Sequence, residues 1–352
     1  MNKIDSGIAK INQKYTRQIL ADYKPDTPVL KKVTAYINKY SSFIVTTHAG
    51  ADPDGVGSEI AIYHLLKKMG KKAVIINNEK VPGNYQFMLE NVKIFTVDEW
   101  DLATKNMDFK KTFVLLMDFS EMHRSEKFSA LVKNNKLSYA TIDHHNFKGS
   151  GFICNDTNYS ATSELIWDLY HFLNIKITRP VALALYSGII ADTGNFRFSK
   201  TTFRTHLAAG ELLSFHISSD FIYRKLFESA PPDKIIFLKR ILAKTILNKE
   251  KGYVAGFIFK TMFNKLKLGD TPSDGIVNLL LAADGIKIAA LMTETPEGFL
   301  KCSLRSVDDI DVSKLAGKFG GGGHKNASGL FIAKKFKDAQ LILLKELEDF
   351  LT

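Results

Sequence analysis

The chain has 352 residues, of which 45% are hydrophobic, so it is long enough for two domains that each bury their own core. It carries 48 Lys and Arg against 37 Asp and Glu, and this formal charge of +11 favours polyanionic partners such as nucleotides, nucleic acid or an anionic membrane surface. The only two cysteines, Cys154 and Cys302, exclude a disulfide framework and a thiolate zinc site. The N-terminus has no apolar signal-peptide core and the apolar runs are too short to cross a bilayer, so we expect a cytoplasmic protein without stable membrane association.

The first half of the chain is predicted to alternate between strands and helices. After a helical extension over residues 1–40, helices are predicted over 57–70, over 160–173 and from Pro180. Four apolar runs are predicted as strands: "FIVTTH" (43–48), "AVIINN" (73–78), "TFVLLMDF" (112–119) and "SYATIDHH" (138–145). Continuous apolar strands that alternate with helices indicate an α/β fold with a parallel sheet covered by helices on both faces.

The regular alternation of predicted strands and helices ends at the break "SAPPD" (229–233). A helix is predicted over 234–247, and a helix that runs into four glycines over 311–330. Three strands are predicted between them, "GYVAGFIF" (252–259), "IKIAALMTE" (286–294) and "GFLKCSLRS" (298–306). We therefore expect a first domain over 1–228, a linker helix over 229–247 and a smaller mixed-sheet α/β domain over 248–352.

Five candidate metal-binding or catalytic side chains lie at the ends of predicted strands. They are His48, Asp118, Asp143, His144 and His145. Sites in parallel sheets gather at the carboxyl ends of the strands, so folding is expected to bring these side chains to one edge. Asp192, in "GIIADTGNFRFSKTT" (188–202), is expected to join them after a fourth strand.

The turn "THAGADPDGVGS" adds two carboxylates, Asp52 and Asp54, beside His48. Each candidate alone is weak, because an Asp in a turn is commonly a helix cap and a lone His is more often structural. Together the candidates supply enough oxygen and imidazole ligands for two divalent ions rather than one. Such ligands without thiolates favour Mn²⁺, with Mg²⁺, Co²⁺ or Zn²⁺ as competitors.

Six segments together resemble the DHH phosphoesterase superfamily, in its DHHA1-bearing branch of stand-alone oligoribonuclease (nanoRNase) and phosphoadenosine-phosphate (pAp) phosphatase proteins. Four of them follow in order in the first domain: "THAGADPDGVGS", "LLMDFSEMHRS", "TIDHHN" and "GIIADTGNFRFS". Two more, "CSLRS" and "GKFGGGGHKNASG", match the second domain of that branch. The resemblance covers residues 40–335, with Ala51 and Ser328 departing from the family's usual Pro and Ala.

The resemblance implies a role for each candidate in the first domain. Asp118 would bridge two ions, and the other ligands would divide into His48 with Asp52 for one ion and Asp54 with His144 and Asp192 for the other. His145 would face the scissile phosphate, stabilising its developing charge or assisting the leaving oxygen. Asp143 would orient an imidazole rather than bind an ion.

The second domain is expected to hold the substrate. A glycine run alone is often a hinge, and a lone arginine is often a surface charge. The resemblance implies instead that the planar fork of Arg305 holds a phosphate and that the glycine backbone lets a ribose or phosphate approach closely. The expected substrate-binding residues are Arg305, Gly321, Gly322, Gly323 and His324.

These roles predict a two-metal phosphodiesterase that hydrolyses very short oligonucleotides, down to dinucleotides, to mononucleotides, with removal of the 3′-phosphate of pAp at the same site. The main alternative is a phosphodiesterase for cyclic di-AMP or its linear product pApA. A manganese pyrophosphatase ranks lower because its second domain lacks the GGGH type of motif. A non-catalytic nucleotide or RNA binder ranks lower because all candidate ligands are present. The sequence leaves base preference, the physiological metal and a homodimer open.

Overall fold

The computed structural model describes residues 18, 20–119, 125–145, 152–268, 272–273 and 275–351. Part of the N-terminal extension, residues 120–124 of "LLMDFSEMHRS" and Asn146 of "TIDHHN" lie outside these ranges. The chain divides into two compact units, residues 1–229 and 230–352. No helix in the described ranges is long and apolar enough to cross a membrane.

The first unit is built on a six-stranded sheet in which every strand pair is parallel. The order across the sheet is β3-β2-β1-β4-β5-β6. The strands are β1 (Ser42–Thr47), β2 (Lys72–Asn77), β3 (Ile94–Thr96), β4 (Thr112–Met117), β5 (Ser138–Asp143) and β6 (Phe152–Asn155). The predicted parallel sheet is confirmed.

Helices cover both faces of this sheet. Successive strand residues point to opposite faces, so Phe43 and Val45 of β1 enter one apolar core while Ile44 enters another. The first core includes residues of Pro28–Lys39, Pro53–Lys68 and Arg179–Asp192, and the second includes residues of Trp100–Thr104 and Glu126–Asn134. The remaining helices of the unit are Thr162–Phe172, Phe203–Leu213 and Ser219–Phe227, with short 3₁₀ turns at Gly83–Met88, Val97–Glu99 and Phe109–Lys111.

Two boundaries differ from the prediction in ways that affect the site. The helix expected from residue 57 begins at Pro53, because Asp52 caps it and proline suits the first helical turn. The helix predicted from Pro180 is confirmed and extends as Arg179–Asp192, so the strand expected directly before Asp192 is wrong. Residues 181–190 are all buried, so the apolar run carries neither a helical nor a strand periodicity.

The second unit contains a mixed sheet, as predicted, and this sheet has six strands. Its order is β11-β12-β10-β9-β8-β7, and β8 with β9 is its one parallel pair among the described strands. The strands are β7 (Ile246–Asn248), β8 (Tyr253–Ile258), β9 (Ile288–Glu294), β10 (Leu300–Ser306), β11 (Gly322–His324) and β12 (Ala327–Ile332). The helices are Asp233–Leu242, Ile276–Leu280, Val312–Gly317 and Phe336–Phe350, with a 3₁₀ turn at Lys260–Phe263.

The segment expected to link the domains contains the helix Asp233–Leu242. Its Phe237 and Ile241 are fully buried in a core with Val254 and Leu291 of the second sheet. This helix is therefore an integral part of the second unit.

Candidate metal centre

Three adjacent strands deliver candidate ligands to one edge of the first sheet. β1 ends at Thr47, β4 at Met117 and β5 at Asp143, and these strands are neighbours in the order β1-β4-β5. His48, Asp118 and His144 directly follow those ends. Parallel strands present their carboxyl ends at the same edge, so the three side chains start from adjacent positions.

His48 and Asp52 form the first group of side chains. The Nδ1 of His48 lies 3.0 Å from the carbonyl oxygen of Ala49, and its Nε2 lies 3.7 Å from Oδ2 of Asp52. Oδ1 of Asp52 accepts the backbone N–H groups of Asp54 and Gly55 at 2.9 Å, which is the helix cap. One oxygen of Asp52 therefore caps the helix, and the other faces the imidazole.

Asp54, His144 and Asp192 form the second group. The Nδ1 of His144 lies 3.3 Å from the carbonyl oxygen of Tyr159, and its Nε2 lies 3.1 Å from Oδ2 of Asp192. Asp54 is fully buried in the first turn of its helix. Asp54, His144 and Asp192 each offer an atom within 4.8 Å of the others.

Asp118 lies between the two groups. Its Oδ2 is 3.9 Å from Nε2 of His48, and its Oδ1 is 3.8 Å from Nε2 of His144. The residue has a φ of +51°, which is uncommon for a side chain other than glycine, and its N–H donates to the carbonyl oxygen of Ile142 at 2.9 Å. This backbone conformation, held by the neighbouring strand, directs one carboxylate toward two imidazoles.

His145 and Asp143 form a tight pair beside Asp118. Oδ1 of Asp143 accepts from the backbone N–H of His145 at 2.9 Å and lies 2.8 Å from its Nδ1. The same Nδ1 lies 3.4 Å from Oδ1 of Asp118. Asp143, Asp118, His144 and His145 also each offer an atom within 4.8 Å of the others. Asp143 thus fixes the ring orientation of His145.

The clustered carboxylates make the site favour the binding of positive charge. Burial alone would lower the pKa of His48 and His144, but Asp52 and Asp192 respectively raise each pKa to about 9. Burial followed by the charges of Asp118 and Asp192 raises the pKa of Asp54 well above its usual range. The site therefore binds protons to neutralise clustered carboxylates, and a divalent cation would take their place.

The imidazoles are also arranged as metal ligands require. The Nδ1 of His48 and of His144 each lie near a backbone carbonyl oxygen to which Nδ1–H can donate, so Nε2 would be the electron-pair donor once a metal displaces its proton. Nε2 of His144 is buried and faces Oδ2 of Asp192 at 3.1 Å. A buried ring nitrogen that faces a carboxylate while its Nδ1 lies near a carbonyl oxygen fits a divalent metal ligand.

Sequence reasoning did not single out Thr162 and Ser163, at the start of the helix Thr162–Phe172. The N–H of Thr162 donates to Oδ2 of Asp54 at 2.7 Å, and the N–H of Ser163 donates to Oδ1 at 2.8 Å. The hydroxyl of Thr162 donates to Oδ1 of Asp118 at 3.0 Å. One helix start thus positions two carboxylates of the cluster, Asp54 and Asp118, and only the Ser/Thr-rich start "SATS" signals it in the sequence.

The predicted substrate-binding residues lie in the second unit. Arg305 of β10 pairs with Ala327 of β12, which pairs with His324 of β11. Directly paired residues share a face, so Arg305 and His324 lie on one face across two strand spacings, roughly 10 Å. The small side chain of Ala327 lies between them.

The glycine run has a structural role that the sequence did not separate from ligand binding. A Cβ on Gly321 would lie 2.3 Å from the carbonyl oxygen of Gly329, and one on Gly323 would lie 2.5 Å from that of Ala327. The absence of side chains at these two glycines allows the backbone of β12 to pack closely against the glycine run. Gly322 has open space at its Cβ position, so it is the glycine of the three that a ligand can approach.

Two family models match the chain. The DHH family, N-terminal domain, matches residues 42–189, and the DHHA1 domain matches residues 241–352. The first match contains every predicted metal ligand except Asp192, and the second contains Arg305 and the glycine run.

Curated relatives cover most of the chain. A probable bifunctional oligoribonuclease and PAP phosphatase NrnA of Streptococcus mutans is 26% identical, over 85% of this chain and 92% of that protein. The bifunctional oligoribonuclease and PAP phosphatase NrnA of Bacillus subtilis is also 26% identical, over 84% and 91%. The cyclic-di-AMP phosphodiesterase PdeA of Listeria monocytogenes is 24% identical over 82% of this chain but only 44% of that protein.

Solved structures share the fold. An exopolyphosphatase-related protein from Bacteroides fragilis superposes with a TM-score of 0.82 at 24% identity, over 92% of this chain and 96% of that one. RecJ from Thermus thermophilus, in complex with Mn²⁺, superposes with a TM-score of 0.55 at 13% identity, over 94% and 56%. At these identities the likeness extends to the fold alone.

Proposed function

Because this chain belongs to the DHH/DHHA1 phosphoesterase family, we propose that it is a metal-dependent phosphodiesterase that hydrolyses dinucleotides and other very short oligonucleotides to mononucleotides. The same site would remove the 3′-phosphate of pAp. Relatives named for both activities match more than four fifths of the chain, and this extent supports proposing both activities for it.

The placement of Asp118 carries the proposal. Its two oxygens lie 3.9 Å and 3.8 Å from the Nε2 atoms of His48 and His144, which belong to different groups of the cluster. A carboxylate in that position is suited to bridge two ions. A single-ion site would not need a second imidazole and carboxylate pair on the far side of Asp118.

The proposed ligand sets follow the two groups. His48 and Asp52 would hold one ion, Asp54, His144 and Asp192 the other, and Asp118 both. A pair of divalent ions held by these residues would activate a water and neutralise charge on the phosphoryl oxygens. The mixture of carboxylates and imidazoles favours Mn²⁺ among the divalent metals.

His145 is proposed to act on the substrate instead of binding an ion. Burial would lower its pKa, but hydrogen bonds to Asp118 and Asp143 raise the pKa to about 11, so the imidazole is protonated at neutral pH. Asp143 holds the Nδ1 side of the ring. The cationic ring would stabilise charge on the scissile phosphate and supply a proton to the leaving oxygen.

Arg305, His324 and Gly322 are proposed to hold the substrate. Burial lowers the pKa of Arg305, and its guanidinium donates to the carbonyl oxygen of Leu304 at 2.9 Å, which leaves further N–H groups of the fork for a phosphate.

Replacement of Arg305 tests this assignment. We expect Arg305→Ala to raise KM for pApA about tenfold, the loss of roughly one charge-assisted contact, with little change in kcat because the grip acts equally on ground and transition states. Lys301→Ala is the matched control, since Lys301 lies on the same face of β10. Equal effects of the two replacements would assign Arg305 to general surface charge.

The function itself is tested by one panel of substrates. The protein would be assayed with Mn²⁺ against pApA, a short RNA, pAp, cyclic di-AMP and pyrophosphate, and kcat/KM would be ranked. We expect pApA and the short RNA to rank first, with pAp hydrolysed measurably. First rank for cyclic di-AMP would favour the activity of the Listeria relative, and first rank for pyrophosphate would favour a pyrophosphatase. No turnover of any substrate would indicate a non-catalytic nucleotide binder.

A further inference from the structure

An exposed aromatic ring packs on the turn that follows the helix carrying Asp192. Phe198 follows Asp192 by six residues and is 41% exposed. Its ring lies against the backbone of Gly194, because a Cβ at Gly194 would be 2.6 Å from Cζ of Phe198. Gly194 has a φ of +57° and is two residues beyond Asp192. The ring thus rests directly on the turn that ends the helix carrying a predicted ligand.

Hydrogen bonds fix this ring relative to Asp192. The N–H of Phe198 donates to the carbonyl oxygen of Thr193 at 2.9 Å, and the N–H of Phe196 donates to Oγ1 of Thr193 at 3.0 Å. Thr193 is fully buried, and its hydroxyl donates to the carbonyl oxygen of Ile189 at 2.6 Å. The loop is therefore tied to the last turn of the helix Arg179–Asp192, so ring and carboxylate are held in one rigid segment.

Positive charge accompanies the ring. The guanidinium of Arg197 lies 5.4 Å from the ring centroid of Phe198, and Arg197 and Lys200 are both exposed. An isolated exposed phenylalanine needs no explanation. A rigid ring with adjacent cations beside a phosphoryl-transfer site has the composition of a surface that stacks a nucleobase and attracts a phosphate.

We propose that Phe198 is a stacking platform for a nucleobase of the substrate and that Arg197 attracts the phosphate attached to that nucleoside. This stacking platform would be a substrate contact of the proposed enzyme, and it rests on the proposed function because the substrate is taken to be a nucleotide. Stacking accepts every base because each has a π-face, so this subsite selects nucleotides as a class without selecting a sequence.

The experiment uses a nucleotide that reports stacking without turnover. 2-Aminopurine riboside 5′-monophosphate, whose fluorescence is quenched when the base stacks, would be titrated with the full chain in the presence of Mn²⁺. We expect quenching with the wild type and with Phe198→Trp. Phe198→Leu, which keeps apolar volume over Gly194, is expected to abolish the quenching and weaken binding about tenfold. Phe221→Leu is the matched control, because Phe221 is equally exposed at 41% and contacts Phe87.

The outcomes separate the stacking platform from the enzyme activity. Unquenched binding by the wild type, no binding by the wild type, or equal quenching by Phe198→Leu would each overturn the platform. Quenching that depends on Phe198, in a protein that turns over none of the substrate panel, would support the platform and reject the phosphodiesterase.

Discussion

Glu59 is a fully buried carboxyl group behind the candidate metal centre. Its Oε1 accepts from Nδ2 of Asn77 at 2.9 Å, while its Oε2 makes no hydrogen bond within the described residues. Oδ1 of Asn77 accepts the N–H of Thr47 at 3.3 Å, one residue before His48. Glu59 and Asn77 thus support the end of β1. Burial raises the pKa of Glu59 to about 8, so the group is mainly neutral at pH 7.

Glu59 makes stability depend on pH. Between its ordinary pKa of 4.5 and about 8 the folded chain holds a proton that the unfolded chain has lost, so this group's contribution to stability falls as pH rises through that window. Glu59→Gln mimics the neutral acid. We expect the advantage of Glu59→Gln over wild type to grow from near zero at pH 4.5 to roughly a few kcal/mol at pH 9.

Urea denaturation of the metal-free protein at both pH values measures this difference. Glu79→Gln, on an exposed residue, is the control and should show no such trend. A constant difference between Glu59→Gln and wild type across the range would show that Glu59 is ionised in the folded state.

At the scale of elements, the start of the helix Thr162–Phe172 organises the cluster. Its first two N–H groups hold Asp54, and the Thr162 hydroxyl holds Asp118. We expect Thr162→Val, which removes only the hydroxyl, to raise the Mn²⁺ concentration for half-maximal activity about 10–100-fold. Thr162→Ser should behave as wild type. If Thr162→Val needs no more Mn²⁺ than Thr162→Ser, the hydroxyl does not position Asp118.

A close helix approach also fixes Asp54. A Cβ on Gly188 would lie 2.1 Å from Oγ of Ser163 and 2.8 Å from Oδ1 of Asp54, and neither atom has room to move without losing its contacts. We expect Gly188→Ala to lower the free energy of unfolding by about 1–3 kcal/mol through overpacking. Urea denaturation of the metal-free wild type and Gly188→Ala measures this difference in the free energy of unfolding.

Gly210 is the matched control for this prediction. It lies in the helix Phe203–Leu213 with open space at its Cβ position. Gly210→Ala should therefore stabilise the protein by about 0.5–1 kcal/mol through helix propensity. A similar gain for Gly188→Ala would mean that the helices separate freely and that this approach does not hold Asp54.

The sequence predicted the elements whose signals are local. His48, Asp118 and His144 follow apolar runs bounded by turns, so both the strands and the gathering of these residues at one edge were visible. The helix from Pro180 was predicted, but its continuation to Asp192 was not, because a segment buried on every side has no periodicity that separates helix from strand. The roles of Thr162 and Ser163 depend on contacts with Asp54 across 108 and 109 residues, which no local pattern encodes.

Across the whole molecule, more of the fold was predicted from the sequence in the first unit than in the second. The parallel sheet of the first followed from its alternating elements. In the second, the hairpin of β11 and β12 was missed because three of the residues from Gly322 to Gly329 are glycines with no strand propensity. That pairing depends on the close backbone approach that Gly321 and Gly323 allow. Both positions therefore require glycine so that the hairpin can form.

Asp118 is proposed to join two metal ions in one chain. Electron paramagnetic resonance during a Mn²⁺ titration of the metal-free protein tests it most directly, because two bridged Mn²⁺ ions give a spin-coupled signal unlike that of isolated ions. We predict uptake of two ions per chain with the coupled signal, and loss of both the coupling and pApA hydrolysis in Asp118→Asn. Uptake of a single ion, two uncoupled ions, or an unchanged coupled signal in Asp118→Asn would contradict the claim.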